Sequence, residues 1–582
     1  MERNRKPNNR TQNNVQKANQ RKMFMALVAV LVIALLGIII LIRKYTPTTE
    51  RMELTDYFSL IEDNQAAVIL NGAYCEVTED DEAVFAKYED NEMYLELSFL
   101  KGQLDDGYVY DNTENILRYT TDKEVITANL GASEYLVGKS RESFDHNVVI
   151  SEDNTIYVAI DFIKLYTDIT YSTQEAPNRV IIEEAGYEKQ TAVLKKDTEL
   201  RRFGGVKSKI LKDGTKGEAV SIIENYGKWS LLLTEDGVLG CVKNNKLTDK
   251  KDVTVKATLE AREYNHVQLD EEINLAWHQV TNTSANGGVT DVVTQAKGVN
   301  VLSPTWFYIN DNSGNIADIG STDYVAYCHS QNVQVWGLVS NLENREVDTT
   351  QVLNTTSSRD NLVNSIVAAA IKYDLDGINV DIEELSGSAA DGYVEFIKEL
   401  SLKCENNGLV LSVDNYAPSA SSTIYNRTVQ ADYADYVVIM AYDEHYSGSE
   451  EAGSVASIGF VEKAVKDTLE EVPAEQIILG MPFYSRVWIS SDSGLSSQAM
   501  GIDDIGKLIT NNNASPTWSE ELGQYYAEYA KDGKTYMIWQ EDATSIEEKL
   551  KVMESNKLAG GAFWKIGFDN SSIWNTIAKY IN

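Results

Sequence analysis

The run Asp376-Gly377-Ile378-Asn379-Val380-Asp381-Ile382-Glu383-Glu384 alternates strictly after its glycine. Branched apolar residues at 378, 380 and 382 are interleaved with an amide and two carboxyls at 379, 381 and 383. A strand sends successive side chains to opposite faces, so this one has an oily face and a polar face. In a closed barrel of parallel strands the oily face packs on outer helices and the polar set points inward. Carboxyls are costly to bury, so an inward set of them implies chemistry. Two carboxyls whose pKa values are pushed apart are the usual equipment for cleaving a glycosidic bond.

The surrounding sequence supports such a barrel. Apolar strand-like runs alternate with helix-like stretches, the pattern of a βα-repeat fold. The runs fall at residues 273–280, 299–309, 333–339, 377–383, 409–413, 436–442, 477–483 and 562–566. Eight of them fit a (β/α)8 barrel, whose active site would lie at the C-terminal ends of the strands. The gap between the seventh and eighth is too long for one helix. It holds strand-like residues 525–530 and 535–540 and a helix-like stretch at 544–553. The expectation is an inserted α+β subdomain forming one wall of a cleft.

The chain of 582 residues exceeds what one core organises, so several domains are expected. Residues 53–188 read as a mixed α+β unit with a weak internal repeat. Tyr94-Leu95-Glu96-Leu97-Ser98-Phe99-Leu100-Lys101 matches Tyr157-Val158-Ala159-Ile160-Asp161-Phe162-Ile163-Lys164 in its aromatic, apolar and lysine offsets. Two copies indicate a duplicated unit, not a solenoid. This segment loosely resembles the N-terminal stalk domain of copper amine oxidases and many exported bacterial proteins. That likeness implies no copper chemistry, and the segment is read as a spacer or a wall-contacting module. Residues 190–247 read as a small β-barrel, with strand runs at 220–223 and 229–233 and turn signals at 225–228 and 235–237. The stretch from Gly227 to Val242 resembles a bacterial Src-homology-3-like domain, which implies either wall-peptide binding or a rigid spacer.

The net charge of −36 disfavours nucleic acid and anionic lipid surfaces as partners. It suits a neutral or cationic substrate, or solubility alone. The four cysteines, Cys75, Cys241, Cys328 and Cys404, have no zinc-ligand spacing, and neither a disulfide framework nor a metal is expected. No cofactor is expected either. Residues 1–22 carry Arg3, Arg5, Lys6, Arg10, Lys17, Arg21 and Lys22, and residues 23–42 are apolar and uncharged. About 20 such residues cross a bilayer. The basic residues precede the span, which predicts a cytoplasmic N-terminus and an exported remainder. No small-residue cleavage site follows, so an uncleaved anchor is favoured over a signal peptide.

Three motifs converge on the barrel mouth: Asp376-Gly377-x-Asn379-x-Asp381-x-Glu383, Met440-x-Tyr442-Asp443 and Gly561-Ala562-Phe563-Trp564. Together they resemble glycoside hydrolase family 18, the chitinase-like barrels, over residues 265–582. The likeness is closer to the bacterial branch of spore-cortex and peptidoglycan N-acetylglucosaminidases, through Ser303-Pro304-Thr305-Trp306-Phe307 and Gly480-Met481-Pro482-Phe483-Tyr484-Ser485-Arg486. The resemblance implies substrate-assisted, retaining hydrolysis. Glu383 would be the acid and then the base, Asp381 would hold the substrate acetamido N–H, and Tyr442 would bind the acetamido oxygen. Trp564 would floor the sugar, and Asn379, Met440, Asp443, Tyr484 and Arg486 are further candidate substrate contacts, with Met440 read first as packing. Asn379 stands where many chitinases have aspartate; it would orient Asp381 by hydrogen bonding but cannot share its proton. His278, His329 and His445 are read as incidental, though His445, just beyond Asp443, could reach substrate.

The expected function is therefore that of a membrane-anchored glycosidase cutting β-1,4 bonds at N-acetylglucosamine, with peptidoglycan as the expected polymer. No nucleic acid or protein partner is expected. The alternatives are a chitinase, an enzyme releasing glycans from glycoproteins, and a non-catalytic lectin. Glu383 argues against the lectin, and the lack of a chitin-binding module weighs against chitin.

Overall fold

The computed structural model describes residues 9–60, 62–77 and 84–581; Arg3, Arg5 and Lys6 of the basic tail lie outside them. The chain forms two compact units: Met1–Leu104 with Ile150–Glu260, and Asp105–Val149 with Ala261–Asn582.

The first unit begins with the helix Asn9–Tyr45, whose apolar stretch is fully exposed. It is long and apolar enough to cross a membrane, as an anchor or as a signal sequence. Both copies of the sequence repeat form a strand running into a short helix: Glu92–Glu96 into Leu97–Gln103, and Thr155–Ala159 into Ile160–Ile163. The two strands pair antiparallel, with Leu95 opposite Val158. Residues 188–254 supply a seven-stranded sheet around Leu194, Leu200, Val220, Leu232 and Val242. Its tight turns use Gly227 and Gly237, both at positive φ where a side chain would be strained.

In the second unit eight parallel strands close on themselves. They are β1 (Ile273–His278), β2 (Val301–Ile309), β3 (Gln334–Ser340), β4 (Gly377–Asp381), β5 (Val410–Tyr416), β6 (Tyr436–Met440), β7 (Ile477–Pro482) and β8 (Gly560–Trp564). Each pairs with its neighbour, and β8 pairs with β1, so no edge remains in the ring. The oily face of β4 joins the outer core, with Ile378, Val380 and Ile382 packed among residues such as Phe396, Leu400 and Ile366. The interior floor is filled by Trp277, Trp336, Tyr436, Leu275 and Val438. Gly377 must be glycine, because a Cβ there would sit 2.8 Å from both Trp336 and the Val410 carbonyl.

The insertion between β7 and β8 is a five-stranded antiparallel sheet with the helix Ile502–Asn511 laid on it. Its own small core is Val487, Ile505, Ile509, Ala527 and Ile538. The first of its strands, Tyr484–Ser491, starts directly beyond β7 and so carries side chains to the barrel mouth.

Residues 105–149, which the sequence groups with the stalk-like segment, form a five-stranded meander packed on two barrel helices, Thr356–Tyr373 and Ala390–Asn407. The contact is built from charges. Arg118 donates to Glu399 (3.1 Å) and Asp360 (2.7 Å), and Arg359 donates twice to Glu399. Asp111 accepts from the Thr356 N–H at 2.7 Å, satisfying a donor at the helix start. Removing one partner of a buried pair costs about 3 kcal/mol or more. Arg118→Met is therefore expected to lower the thermal midpoint of the barrel by several degrees, read by calorimetry on the protein in detergent. An unchanged midpoint would show that Arg359 alone satisfies Glu399.

Candidate active site

The inward side chains of β4 are Asn379, Asp381 and, just past the strand, Glu383. Their neighbours on β5 follow in register. Asn379 faces Ser412 across the ladder, so Asp381 comes beside Asp414 and Glu383 beside Tyr416. The Tyr416 hydroxyl donates to Glu383 Oε2 at 2.7 Å. Asn341, beyond β3, clamps the Glu383 backbone from both sides: its amide donates to the Glu383 carbonyl and accepts from the Glu383 N–H, each at 2.9 Å. The chain then turns sharply at Glu384, in the left-handed region with φ +54°, where Arg345 holds the Glu384 carboxylate at 2.6 Å. Glu383 is thus fixed at the mouth by two groups, Tyr416 and Asn341, with Arg345 holding the turn that follows.

Asn379 lies lower and is fully buried. Its Oδ1 accepts from Trp277 Nε1 and from the Ser303 hydroxyl, both at 2.9 Å. Its Nδ2 donates to Ser412 at 3.0 Å and to Asp414 Oδ1 at 2.7 Å. Every hydrogen-bonding position of the amide is occupied. The expected bond from Asn379 to Asp381 is therefore not made, and Asn379 is a support below the site, out of reach of a substrate. Asp381 Oδ1 is enclosed and has no hydrogen-bond partner among the described residues.

Burial, first of all, pushes the Asp381 carboxyl well above its usual range, and the charges of Glu383, Asp414 and Glu343 add to it. Burial also raises Glu383, opposed by the Tyr416 hydrogen bond and reinforced by Glu384, Asp443 and Glu343. Asp414 is raised by burial, and the bond from Asn379 opposes this. An enclosed group of acids without a cation holds protons at pH values where free carboxyls have lost them.

The remaining candidates gather around this pair. Tyr442 follows β6, its ring edge-on to Tyr484 at 6.4 Å, and its hydroxyl has no partner among the described residues. Burial raises its pKa well above the usual phenol value. Asp443, at φ +57°, accepts from the Tyr484 hydroxyl at 2.6 Å, and Arg486 lies 3.9 Å from the same carboxylate. Arg486 also donates to Ser497 at 3.2 Å, which ties this group to the insertion. Trp564, at the end of β8, is half-buried and edge-on to Trp277 at 5.9 Å. Met440 is buried at the end of β6 and packs.

The histidines have partners of their own. His278 stacks on Tyr324, and burial followed by the Lys565 charge pushes its pKa down to about 4. His329 pairs with Asp376 at 2.8 Å, and His445 meets the Ser454 carbonyl at 2.9 Å. Among the described residues no His, Cys, Asp and Glu cluster is placed to hold a metal. Sequence reasoning missed Asp414, Tyr416 and Asn341. The alternation Ser412, Asp414, Tyr416 was the available signal on β5.

A carboxyl raised in the fold contributes stability in full below its unfolded pKa, near about 4, and loses it as pH climbs through the raised folded value. Asp381→Asn removes that loss. The variant is expected to melt progressively higher than the parent as pH rises toward about 8, read by thermal scans across pH. A constant offset would mean that Asp381 ionises normally.

Comparison with known proteins fits this geometry. A Bacillus subtilis (strain 168) protein named uncharacterized glycosylase YvbX is 24% identical over 48% of this chain and 84% of its own length. The cortical fragment-lytic enzyme of the same organism is 27% identical over 45% of this chain and 63% of its length. The chain thus spans less than two thirds of that relative. Among solved structures, the C-terminal domain of a chitinase candidate from Desulfitobacterium hafniense DCB-2 shares the fold, with a TM-score of 0.50, 17% identity, and coverage of 54% of this chain and all of that one. Residues 276–569, about half of the chain and nearly all of the barrel, match Glycosyl hydrolases family 18, and the chain belongs to that family.

Proposed function

We propose that the barrel hydrolyses β-1,4 bonds at N-acetylglucosamine with retention, using the substrate's own acetamido group as nucleophile. The observation that carries this is the placement of Glu383, whose Oε2 is taken by Tyr416 while Oε1 remains for substrate. The Glu383 proton passes to the glycosidic oxygen as the C1–O bond breaks. The acetamido oxygen bonds to C1 from the opposite face, giving an oxazolinium ion. Asp381, ionised, accepts from the acetamido N–H and offsets the developing positive charge. The free Tyr442 hydroxyl donates to the acetamido oxygen and holds it under C1. Glu383, now a carboxylate, takes a proton from water as the water oxygen attacks C1 and the bond from C1 to the acetamido oxygen breaks. Two displacements at one carbon leave its configuration unchanged. Trp564 offers an aromatic face to the apolar face of the sugar. Asp443, Tyr484 and Arg486 contact neighbouring hydroxyls.

Peptidoglycan is the polymer we favour. The apolar N-terminal helix, read as an anchor with its basic end in the cytoplasm, keeps the enzyme beside the wall. The segments before the barrel then act as spacers, stalk-like and Src-homology-3-like in character. A relative named for lysis of cortical fragments points the same way.

Purified exported protein and its Glu383→Gln variant, given peptidoglycan and chitin oligosaccharides, test the reading by mass spectrometry of new reducing ends. Loss of the acid is expected to slow release by about a thousandfold. If the parent cuts chitin oligosaccharides and leaves peptidoglycan whole, the substrate assignment falls; if neither is cut and both bind, the barrel is a lectin. Tyr416→Phe removes a bond that favours ionised Glu383. The alkaline limb of kcat is expected to move up by about one pH unit.

A further inference from the structure

We propose that Asp414 is the third carboxyl of the catalytic cluster and governs when Asp381 ionises, a task that the uncharged Asn379 cannot perform. The inference rests on the hydrolase reading above and names a positioning residue on β5 for that same site.

The orientation of the Asn379 amide is decided by chemistry. Trp277 Nε1 can only donate, so the atom 2.9 Å from it must be the amide oxygen. The amide nitrogen then faces β5, where it donates to Asp414 Oδ1 at 2.7 Å. That bond fixes Asp414 without exchanging a proton with it. Asp414 itself can titrate, and it is 2% exposed. The register of β4 and β5 sets it beside Asp381 on the inner wall.

The groups facing this pair come from every side. Glu383 lies one rung up on β4, Glu343 follows β3, Tyr442 follows β6, and Tyr393 reaches in from the helix Ala390–Asn407. Trp277 and Asn379 close the floor. These are acidic or neutral; the cation Arg345, near Glu383, is exposed and paired with Glu384. Asp381, Glu383 and Asp414 therefore cannot all be ionised, and their protons belong to the cluster. With Asp414 protonated, Asp381 is free to ionise and to accept from the acetamido N–H. With Asp414 ionised, Asp381 keeps its proton and cannot. A proton moved from Asp381 to Asp414 leaves the cluster's charge unchanged and produces the competent form.

Three variants test this: Asp414→Asn, Asn379→Asp and the double exchange. Asp414→Asn keeps the acceptor oxygen and loses the charge. The acid limb of kcat/KM, measured on chitin oligosaccharides and peptidoglycan, is expected to move down by about one unit. Asn379→Asp adds a carboxyl against Asp414 and is expected to move the limb up, which keeps the idea testable if the first variant misfolds. The double exchange is expected to return it toward the parent position. If each single variant lowers kcat with its limbs unmoved, Asp414 is merely structural and the proposal is overturned. Should the parent cut neither substrate, the hydrolase reading fails on its own. The coupling is then read from thermal midpoints between about pH 5 and pH 8. Asp414→Asn must gain on the parent as pH rises, and equal slopes overturn the proposal.

Discussion

The hydrogen bond from Trp277 to Asn379 is the fixed point of this barrel. An indole N–H meets an amide oxygen on a fully buried floor, and the amide's opposite face is thereby committed to β5. Two strands that are not neighbours, β1 and β4, are tied through it, and β2 and β5 join by way of Ser303 and Ser412. Leaving any of these groups without a partner in such a place would cost about 1–3 kcal/mol. The arrangement is accordingly all or nothing, and it sets the height and pointing of the carboxyls directly above it.

Much of this was legible in β4 alone. Its period of two separates an oily face from a polar one, and a barrel is the arrangement that buries both. The eight strands were visible as runs because strands buried on both faces read as continuous apolar sequence. The run read at 562–566 forms at Gly560–Trp564 instead, because two glycines hide the start of β8 from an apolarity reading. The backbone there approaches β1 so closely that a Cβ at Gly560 would lie 2.1 Å from the Ile273 carbonyl.

The meander at residues 105–149 was not legible as part of the barrel's unit. Its strands are short and alternate like those on either side of it. What binds it to the barrel is Arg118 meeting Glu399 across 281 residues of chain, and Asp111 meeting the start of a helix 245 residues on. Local pattern carries no trace of such pairings. Asp414 and Tyr416 escaped for a different reason. The apolar run of β5 stops at Val413, yet the strand continues to Tyr416, and the alternation Ser412, Asp414, Tyr416 copies the polar face of β4. A strand lining a site looks shorter than it is whenever apolarity is the only measure.

Three glutamates, two buried and Glu383 half-buried, show why pairing, more than burial, separates the site from its scaffold. Glu399 is enclosed by Arg359 and Arg118, and Glu541 by Lys549 at 3.0 Å with Ser545. Burial raises both, but in each case a cation pulls back toward the charged form. A cation so placed works against the protonated state that a general acid must start from. Glu383 has a hydroxyl where the others have a cation, and the acids Glu384, Asp443 and Glu343 nearby raise it further. A neutral donor steadies the carboxylate when it forms without forbidding the protonated state. General acid catalysis followed by general base catalysis needs both states within reach in one turnover. A lysine or arginine at position 416 would pull Glu383 toward the charged form, as Arg359 and Arg118 pull Glu399, and would work against the proton transfer proposed for it.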